Sequence, residues 1–248
     1  MHLMKHWIKR GFRQFGLELS TCNGANKAGL RPDMESVLDI ARPATVFDVG
    51  ANKGQFRDFL RCEVGYGGDI LSFEPIPELA EALAERAKSD SHWKVFPCAL
   101  GAEPSTLALN VSDSTDFSSF LKVSGGTQAL FPGASSQRTV QVPVQTLTDF
   151  TKTNRQDAPF FLKLDTQGFD MNVIKGGLPV MQDCAAVLCE VSVIPLYEGQ
   201  PTWREMITYL EALGFSIVGL YPVNRTRSMQ VIEFDCLMIN SRFATPVH

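Results

Sequence analysis

The run Thr-Val-Phe-Asp-Val at 45–49, the turn Gly50-Ala51-Asn52-Lys53-Gly54 and the pair Phe73-Glu74 limit what this chain can fold into more than any other feature. Residues 45–49 are apolar and β-branched enough for a strand covered on both faces, as parallel strands are. Residues 50–54 then open an amphipathic helix whose apolar side carries Phe56, Phe59 and Leu60. A second apolar strand over 69–73 ends at Glu74. Strand, glycine turn, helix, strand and a terminal acid about twenty residues beyond the turn make one nucleotide-binding βαβ unit.

Each part has a physical reason. Gly50 lets the backbone turn sharply beneath a ligand, and free amides opening the following helix suit an anionic group such as a carboxylate. Glu74, at the carboxyl edge of the second strand, is placed to accept both ribose hydroxyls of an adenosine-type ligand. The third turn position separates two ligand classes. A dinucleotide fold needs glycine there so that the main chain can approach the pyrophosphate, and this chain has Asn52. An amino-acid headgroup is smaller and carries one carboxylate. S-adenosylmethionine therefore fits residues 48–52 better than NAD, with Asp48 available to its ammonium group. The bland alternative makes Gly50 and Gly54 turn glycines and Glu74 a solvated strand end.

The 248 residues, 44% apolar and 20% charged, suit one large α/β domain with modest insertions. A net charge of −4 gives no general drive toward nucleic acid, and no basic block or aromatic–basic pattern resembles a nucleic-acid module. Cys22, Cys62, Cys98, Cys184, Cys189 and Cys236 form no C-x-x-C pair and read as reduced core residues of a cytoplasmic protein. His2, His6, His92 and His248 match no zinc spacing, so no transition metal is expected. A Mg²⁺ site would have to be built from Asp165, Asp170 and Glu190. No stretch is long and apolar enough to span a bilayer, and the N-terminus lacks the apolar core of a signal peptide. Its first helix carries Leu3, Met4, Trp7, Ile8, Phe12 and Phe15 on one side and Lys5, Lys9, Arg10 and Arg13 on the other. Packing on the protein's own domain is the stronger reading of that face, and weak peripheral contact with an anionic membrane surface the other.

Residues 1–42 read as a helical N-terminal extension, with one helix over 33–40, and residues 43–248 as the main domain. A helix over 77–88 begins at Pro77, and 93–98 gives a third strand. Around 105–145 alternating apolar and small polar residues, broken by Ser/Thr/Gly-rich pieces, read as a β-rich insertion with a mobile loop. Residues 160–164 form a buried strand ending at Asp165, and 186–191 another ending around Glu190. Thr202-Trp203-Arg204-Glu205 matches a capping box for a helix that stops at Gly214. Residues 215–221 and 233–240 read as an antiparallel hairpin at the sheet edge. The expected architecture is α/β: a doubly wound, mostly parallel sheet with a C-terminal antiparallel hairpin.

Ligands of open α/β sheets bind beyond the carboxyl ends of the strands, which puts Asp165 and Glu190 forward as acceptor-facing acids. Two nearby carboxyls would push one pKa upward. The structural alternatives are helix capping after Thr166 for Asp165 and an ion pair with Lys163 for Glu190. Lys163, a charge inside an apolar strand, reads as a structural partner to Asp or Glu.

Phe47-Asp48-Val49-Gly50-Ala51-Asn52-Lys53-Gly54, Phe73-Glu74-Pro75, Ala99-Leu100-Gly101, Phe117-Ser118-Ser119-Phe120 and Leu162-Lys163-Leu164-Asp165-Thr166-Gln167-Gly168-Phe169-Asp170 resemble, in order, the motifs of FkbM-family methyltransferases. The resemblance implies a class I (Rossmann-like) methyltransferase fold and S-adenosylmethionine bound through the glycine turn and Glu74. It further implies O-methylation of hydroxyls on carbohydrates or polyketide-type metabolites, with a small-molecule or glycan acceptor. Asp48, Gly50, Ala51, Asn52, Gly54, Glu74 and Ala99 are the cofactor-binding candidates, and Asp165 and Glu190 the catalytic ones. The loop with Ser118 and Ser119 would touch the adenosine or cover the acceptor, while Tyr197 and Trp203 either stack on a sugar or cover a core. One position departs from the pattern: members usually carry glutamate where this chain has Gln167. That amide keeps open an alternative, a catalytically silent adenosine-ligand-binding module in a glycan-assembly complex.

Overall fold

The computed structural model describes residues 29–112, 117–131, 136–154 and 158–244. The basic amphipathic segment over 3–15, and with it the membrane contact, lies outside the described residues, as do Cys22, His2, His6 and His248. Among the described residues no helix is long and apolar enough to cross a membrane.

In chain order the elements are α1 (Leu30–Ala41), β1 (Thr45–Val49), α2 (Gln55–Asp58, continued by a π-helical turn Phe59–Val64), β2 (Asp69–Phe73), α3 (Pro77–Ala87), β3 (Trp93–Phe96), β4 (Ala99–Leu100), β5 (Ser105–Ser112), α4 (Gly125–Leu130), β6 (Ser136–Gln145), α5 (Leu147–Asn154), β7 (Phe160–Leu164), α6 (Asp170–Gly177, continued by a 3₁₀ stretch Leu178–Asp183), β8 (Cys184–Ser192), α7 (Trp203–Ala212), β9 (Phe215–Arg225) and β10 (Val231–Asn240). A seven-stranded sheet runs β3-β2-β1-β7-β8-β10-β9, and a small sheet runs β4-β6-β5. In the large sheet β10 is antiparallel to both neighbours, and the other pairings are parallel.

The central strands are covered on both faces because their side chains alternate between two cores. Phe47, Phe73 and Phe160 join Phe150, Ile174 and Leu210 on one face. Val46, Ile70 and Phe161 join Met34, Phe56 and Phe59 on the other. Phe150 of α5 sets its ring edge-on to Phe73 at 4.7 Å, and Phe160 meets Phe47 edge-on at 5.1 Å. Helices therefore press on both sides of the sheet, α1 and α2 on one and α5 to α7 on the other.

Several boundaries differ from the sequence expectation for local reasons. Helix α1 begins at Leu30 because Pro32 falls in its first turn, where a missing N–H costs nothing. Strand β3 stops at Phe96 rather than residue 98: Pro97 has no N–H to give a ladder, Cys98 N donates back to Phe96 O at 2.9 Å, and the chain leaves for the small sheet. Strand β8 extends to Cys184–Ser192 because it is paired on both sides, by β7 and β10. Cys62 is exposed, unlike the buried Cys98, Cys184, Cys189 and Cys236. Leu109, Val111 and Val142 of the small sheet pack with Ile76 just after β2, which sets residues 117–120 over the carboxyl edge of the large sheet.

Helix α7 forms the expected capping box: Thr202 Oγ1 accepts from Glu205 N at 3.3 Å, and Thr202 N donates to Glu205 Oε2 at 2.8 Å. Thr202→Ala is expected to lower stability by about 1 kcal/mol, read by urea denaturation, with cofactor affinity unchanged because no residue of α7 lines the cavity at the carboxyl edge of the sheet.

Candidate active site

Beyond the carboxyl ends of β1, β2, β7 and β8 lies a cavity of about 370 Å³, within the range of about 300–1,000 Å³ that small-molecule sites occupy. Toward β2 its wall is Gly50, Ala51, Asn52, Glu74 and Ala99; toward β10 it is Asp165, Gln167, Glu190, Asn224, Glu233 and Asp235. Leu109, Phe117, Ser118 and Phe120 supply further wall from the insertion.

The turn is built for close approach. Gly50 has φ 81, and a Cβ there would lie 1.9 Å from the Asp165 carbonyl oxygen. The amides of Gly50, Ala51 and Asn52 are engaged within the protein. Gly50 N and Ala51 N both donate to Phe73 O, at 3.0 and 3.1 Å, and Asn52 N donates to Glu74 Oε2 at 2.7 Å. Ile76 N donates to Glu74 Oε1 at 2.8 Å. Two backbone donors thus fix a carboxylate that is only 3% exposed, and each oxygen keeps a lone pair for a ligand hydroxyl. Burial pushes the Glu74 pKa up to about 7 against the opposing pull of those donors and Lys163.

Two further candidates sit elsewhere than expected. Asp48 is fully buried beneath the turn rather than on the cavity wall: Ser72 Oγ donates to its Oδ2 at 3.0 Å, and Lys163 Nζ lies 3.3 Å from its Oδ1. The protein's own ammonium occupies the place given to the ligand's. Gly54, φ 82, is also off the wall, and its missing Cβ leaves room for Leu83 and Arg86; Gln55 and Phe56 line the cavity instead.

Lys163 Nζ donates to Gly50 O at 2.8 Å and reaches Asp165 Oδ2 at 3.4 Å as well as Asp48. Burial lowers its pKa, but the Asp165 and Asp48 carboxylates outweigh that and raise it. Lys163 thus pairs with these two aspartates rather than with Glu190. Asp165 caps no helix, since the Thr166 N–H and hydroxyl both go to Asp170 Oδ1. Asp165 Oδ1 instead accepts from Gln167 Nε2 at 2.9 Å, and the same nitrogen donates to Glu190 Oε1 at 3.2 Å. Burial, then Asp165, Glu233, Asp235 and Asp170, push the Glu190 pKa well above the ordinary carboxyl range. Tyr197 is buried, with its hydroxyl on Gln167 Oε1 at 2.8 Å, while Trp203 is absent from the wall and meets Phe234 edge-on at 5.8 Å as a core cover. Ser118 lines the cavity; Ser119 lies behind it, donating to the Gln167 carbonyl.

Sequence reasoning missed Asn224, Glu233 and Asp235. The signal was present: two acids spaced by two open an otherwise apolar strand, and in an antiparallel hairpin that end meets the carboxyl edge of its parallel neighbours. Asp235 pairs directly with Glu190 across β8 and β10.

A doubly wound sheet of this strand order, with an antiparallel strand next to its edge and a cavity at the first glycine turn, defines a class I S-adenosylmethionine-dependent methyltransferase fold. The chain belongs to the family described as the methyltransferase FkbM domain, whose model matches residues 48–217. No curated protein matches the sequence. Similar solved structures include a methyltransferase FkbM from Methylobacillus flagellatus KT, at 16% identity and TM-score 0.49 over 79% of this chain and 43% of that one. This chain thus spans less than half of that protein's length. An S-adenosylmethionine-dependent methyltransferase from Aquifex aeolicus is 12% identical with TM-score 0.42, covering 87% and 93% of the two chains. Aeropyrum pernix fibrillarin, in complex with natively bound S-adenosyl-L-methionine, is 9% identical with TM-score 0.44, covering 81% and 68%. S-adenosylmethionine is the cofactor, and the cavity suits it: beside the glycine turn stands a buried acid held by two backbone donors with acceptor capacity left for ligand hydroxyls.

Lys163→Met is expected to destabilise the fold by about 3–5 kcal/mol, since it leaves two carboxylates without their buried counter-charge; denaturant unfolding reads this. Cofactor affinity should depend on pH through Glu74. Ribose hydroxyls donate to the ionised carboxylate, so binding releases a proton when Glu74 starts protonated. Affinity should be full above its pKa of about 7 and fall by up to about tenfold per pH unit below it. Calorimetry should also find Glu74→Ala binding weakly with that pH dependence gone.

Proposed function

We propose that this chain transfers a methyl group from S-adenosylmethionine to a hydroxyl of a carbohydrate or related hydroxylated metabolite. The observation that carries this reading is one cavity with two chemically different ends on either side of Gly50: a fixed acid and glycine turn toward β2, and carboxylates with carboxamides toward β10. Gly50, Ala51, Asn52, Glu74 and Ala99 hold the cofactor in this reading, and Asp165 and Glu190 face the acceptor.

The cofactor's sulfonium supplies an already activated methyl electrophile. What the chain must do is hold an acceptor oxygen in line and take one proton. Holding matters most, because effective molarities of oriented reactants reach about 10⁵ M or more, whereas a general base adds about 10²–10⁴-fold. Asp165 Oδ2, beside Lys163, is the proton-accepting atom in this scheme. Glu190, whose raised pKa favours the protonated form, orients the hydroxyl. Among the described residues lining the cavity the only cation is Lys163, already held by Asp48, Asp165 and the Gly50 carbonyl. An anionic group beside the reacting hydroxyl would find no counter-charge, whereas sugar-type hydroxyls find acceptors throughout.

Incubation of the purified protein with methyl-labelled cofactor and an extract of its own host tests the reading. Label in a neutral polyhydroxylated product supports it, and tight cofactor binding without transfer overturns it. Asp165→Asn should bind cofactor as the wild type does and slow transfer by about 10²–10⁴-fold. A wild-type rate in single-turnover assays would remove Asp165 as the base.

A further inference from the structure

Gln167 occupies the point between the two acceptor-side carboxyls with φ 53, a left-handed conformation uncommon outside glycine. Its amide is oriented from behind. The buried Tyr197 hydroxyl, its pKa raised by burial and by Glu233, Glu190 and Asp165, keeps its proton and donates to Gln167 Oε1 at 2.8 Å. With the oxygen engaged, Nε2 faces the cavity and divides its two hydrogens between Asp165 Oδ1 and Glu190 Oε1. The backbone is pinned too: Ser119 Oγ donates to the Gln167 carbonyl at 2.6 Å. A Cβ on the following Gly168, φ 89, would meet Gln200 at 3.1 Å and Leu121 at 3.2 Å. Segments before α4 and after β8 thus close on one residue in a sparsely populated conformation, the pattern in which surrounding structure over-determines a strained functional position.

We propose that Gln167 is the positioning residue of the acceptor site, a neutral clamp that holds Asp165 and Glu190 at a fixed separation by donating one hydrogen to each. This rests on the reading of those two acids as acceptor-facing. An amide suits the task because it offers two donors and no charge. A carboxylate would put a third negative charge between the pair, and an ammonium would draw both acids away from the acceptor hydroxyl. The charged and titratable groups facing the pair are Lys163 of β7 and Asp48 of β1 beneath it, Asp170 of α6, Glu233 and Asp235 of β10, and Tyr197 after β8. Apart from Lys163 and the neutral Tyr197 hydroxyl these are carboxyl groups, and the two Gln167 hydrogens serve the pair as uncharged donors. The hydrogen given to Glu190 stabilises its ionised form, and losing it moves the Glu190 titration further upward. Glu233 also bears on Glu190, so the change is read at the Glu190 carboxyl itself, which accepts one of the two hydrogens.

Carboxyl ¹³C NMR of protein labelled at Asp and Glu reads this without any acceptor. In Gln167→Met, which keeps side-chain length and removes both donors, the Glu190 titration should rise by about one pH unit, with cofactor affinity by calorimetry within about twofold of wild type. Tyr197→Phe, which removes only the hydroxyl that orients the amide, should shift the same titration in the same direction by less, and it keeps the test open if the methionine variant fails to fold. The acid limb of the transfer rate should move in the same direction, which a merely structural residue would not cause. Unmoved titrations in folded variants of an active enzyme overturn the clamp. Moved titrations in a protein that transfers no methyl group support the clamp and overturn the transferase reading instead.

Discussion

The Lys163 ammonium sits where the central strand, the glycine turn and the acceptor wall meet, and the geometry of the site depends on it. Register places Lys163 directly beside Asp48 across β1 and β7. The side chain, 8% exposed, then reaches the Gly50 carbonyl above and Asp165 beyond. An unpaired ammonium in such a place costs several kcal/mol, so all three partners are bound to a single position. The glycine turn and the Asp165 carboxylate on the cavity wall are thereby parts of one rigid object. In-line transfer needs that rigidity, because a misplacement of about 1 Å between donor and acceptor can cost about a hundredfold in rate.

Around this ammonium the fold gathers more negative charge than it neutralises. The hairpin of β9 and β10 brings Glu233 and Asp235 to the edge where β7 and β8 already place Asp165 and Glu190. Among the described residues no second cation lines the cavity to balance them. Neutral donors take up the load instead: Ser192 Oγ and Asn224 Nδ2 donate to Glu233 at 3.2 and 3.1 Å, and Gln167 serves Asp165 and Glu190. Burial shifts part of the remainder into protons, raising Glu190 and Glu233. The result is a wall of oxygen acceptors with few cationic groups, chemically suited to hydroxyl donors.

Much of the fold was legible because its signals are local. The limits of β1, β2 and β7 follow from short apolar runs bounded by a glycine or an acid, and α7 from its capping box. The site was legible only in part, because the missing pieces depend on register. Nothing in the order of residues distinguishes an Asp48 that faces a ligand from one that faces Lys163, since the two meet only when β7 pairs with β1 in this alignment. Gly54 looked like ligand-loop glycine, but its open space serves Leu83 and Arg86 of α3, more than twenty-five residues on in the chain. The reach of Glu233 and Asp235 into the cavity required knowing that their strand runs antiparallel beside β8.

Discrimination against dinucleotides was argued from the Asn52 side chain, and the folded turn supplies a stronger ground. Pyrophosphate recognition in a glycine turn uses backbone N–H groups directed at the phosphates. Here the Gly50 and Ala51 amides are drawn to the Phe73 carbonyl and the Asn52 amide to Glu74. Asn52 adopts φ 48, a left-handed conformation that asparagine tolerates better than most residues, and that conformation accompanies the hydrogen bond of its N–H to Glu74. Turn and acid are welded together before any ligand arrives. A diphosphate would have to break those bonds and set its charge beside a fixed carboxylate, whereas an adenosine with no phosphate needs neither. Selection against NAD thus lies in hydrogen bonds already made, with the side chain of Asn52 a secondary obstacle.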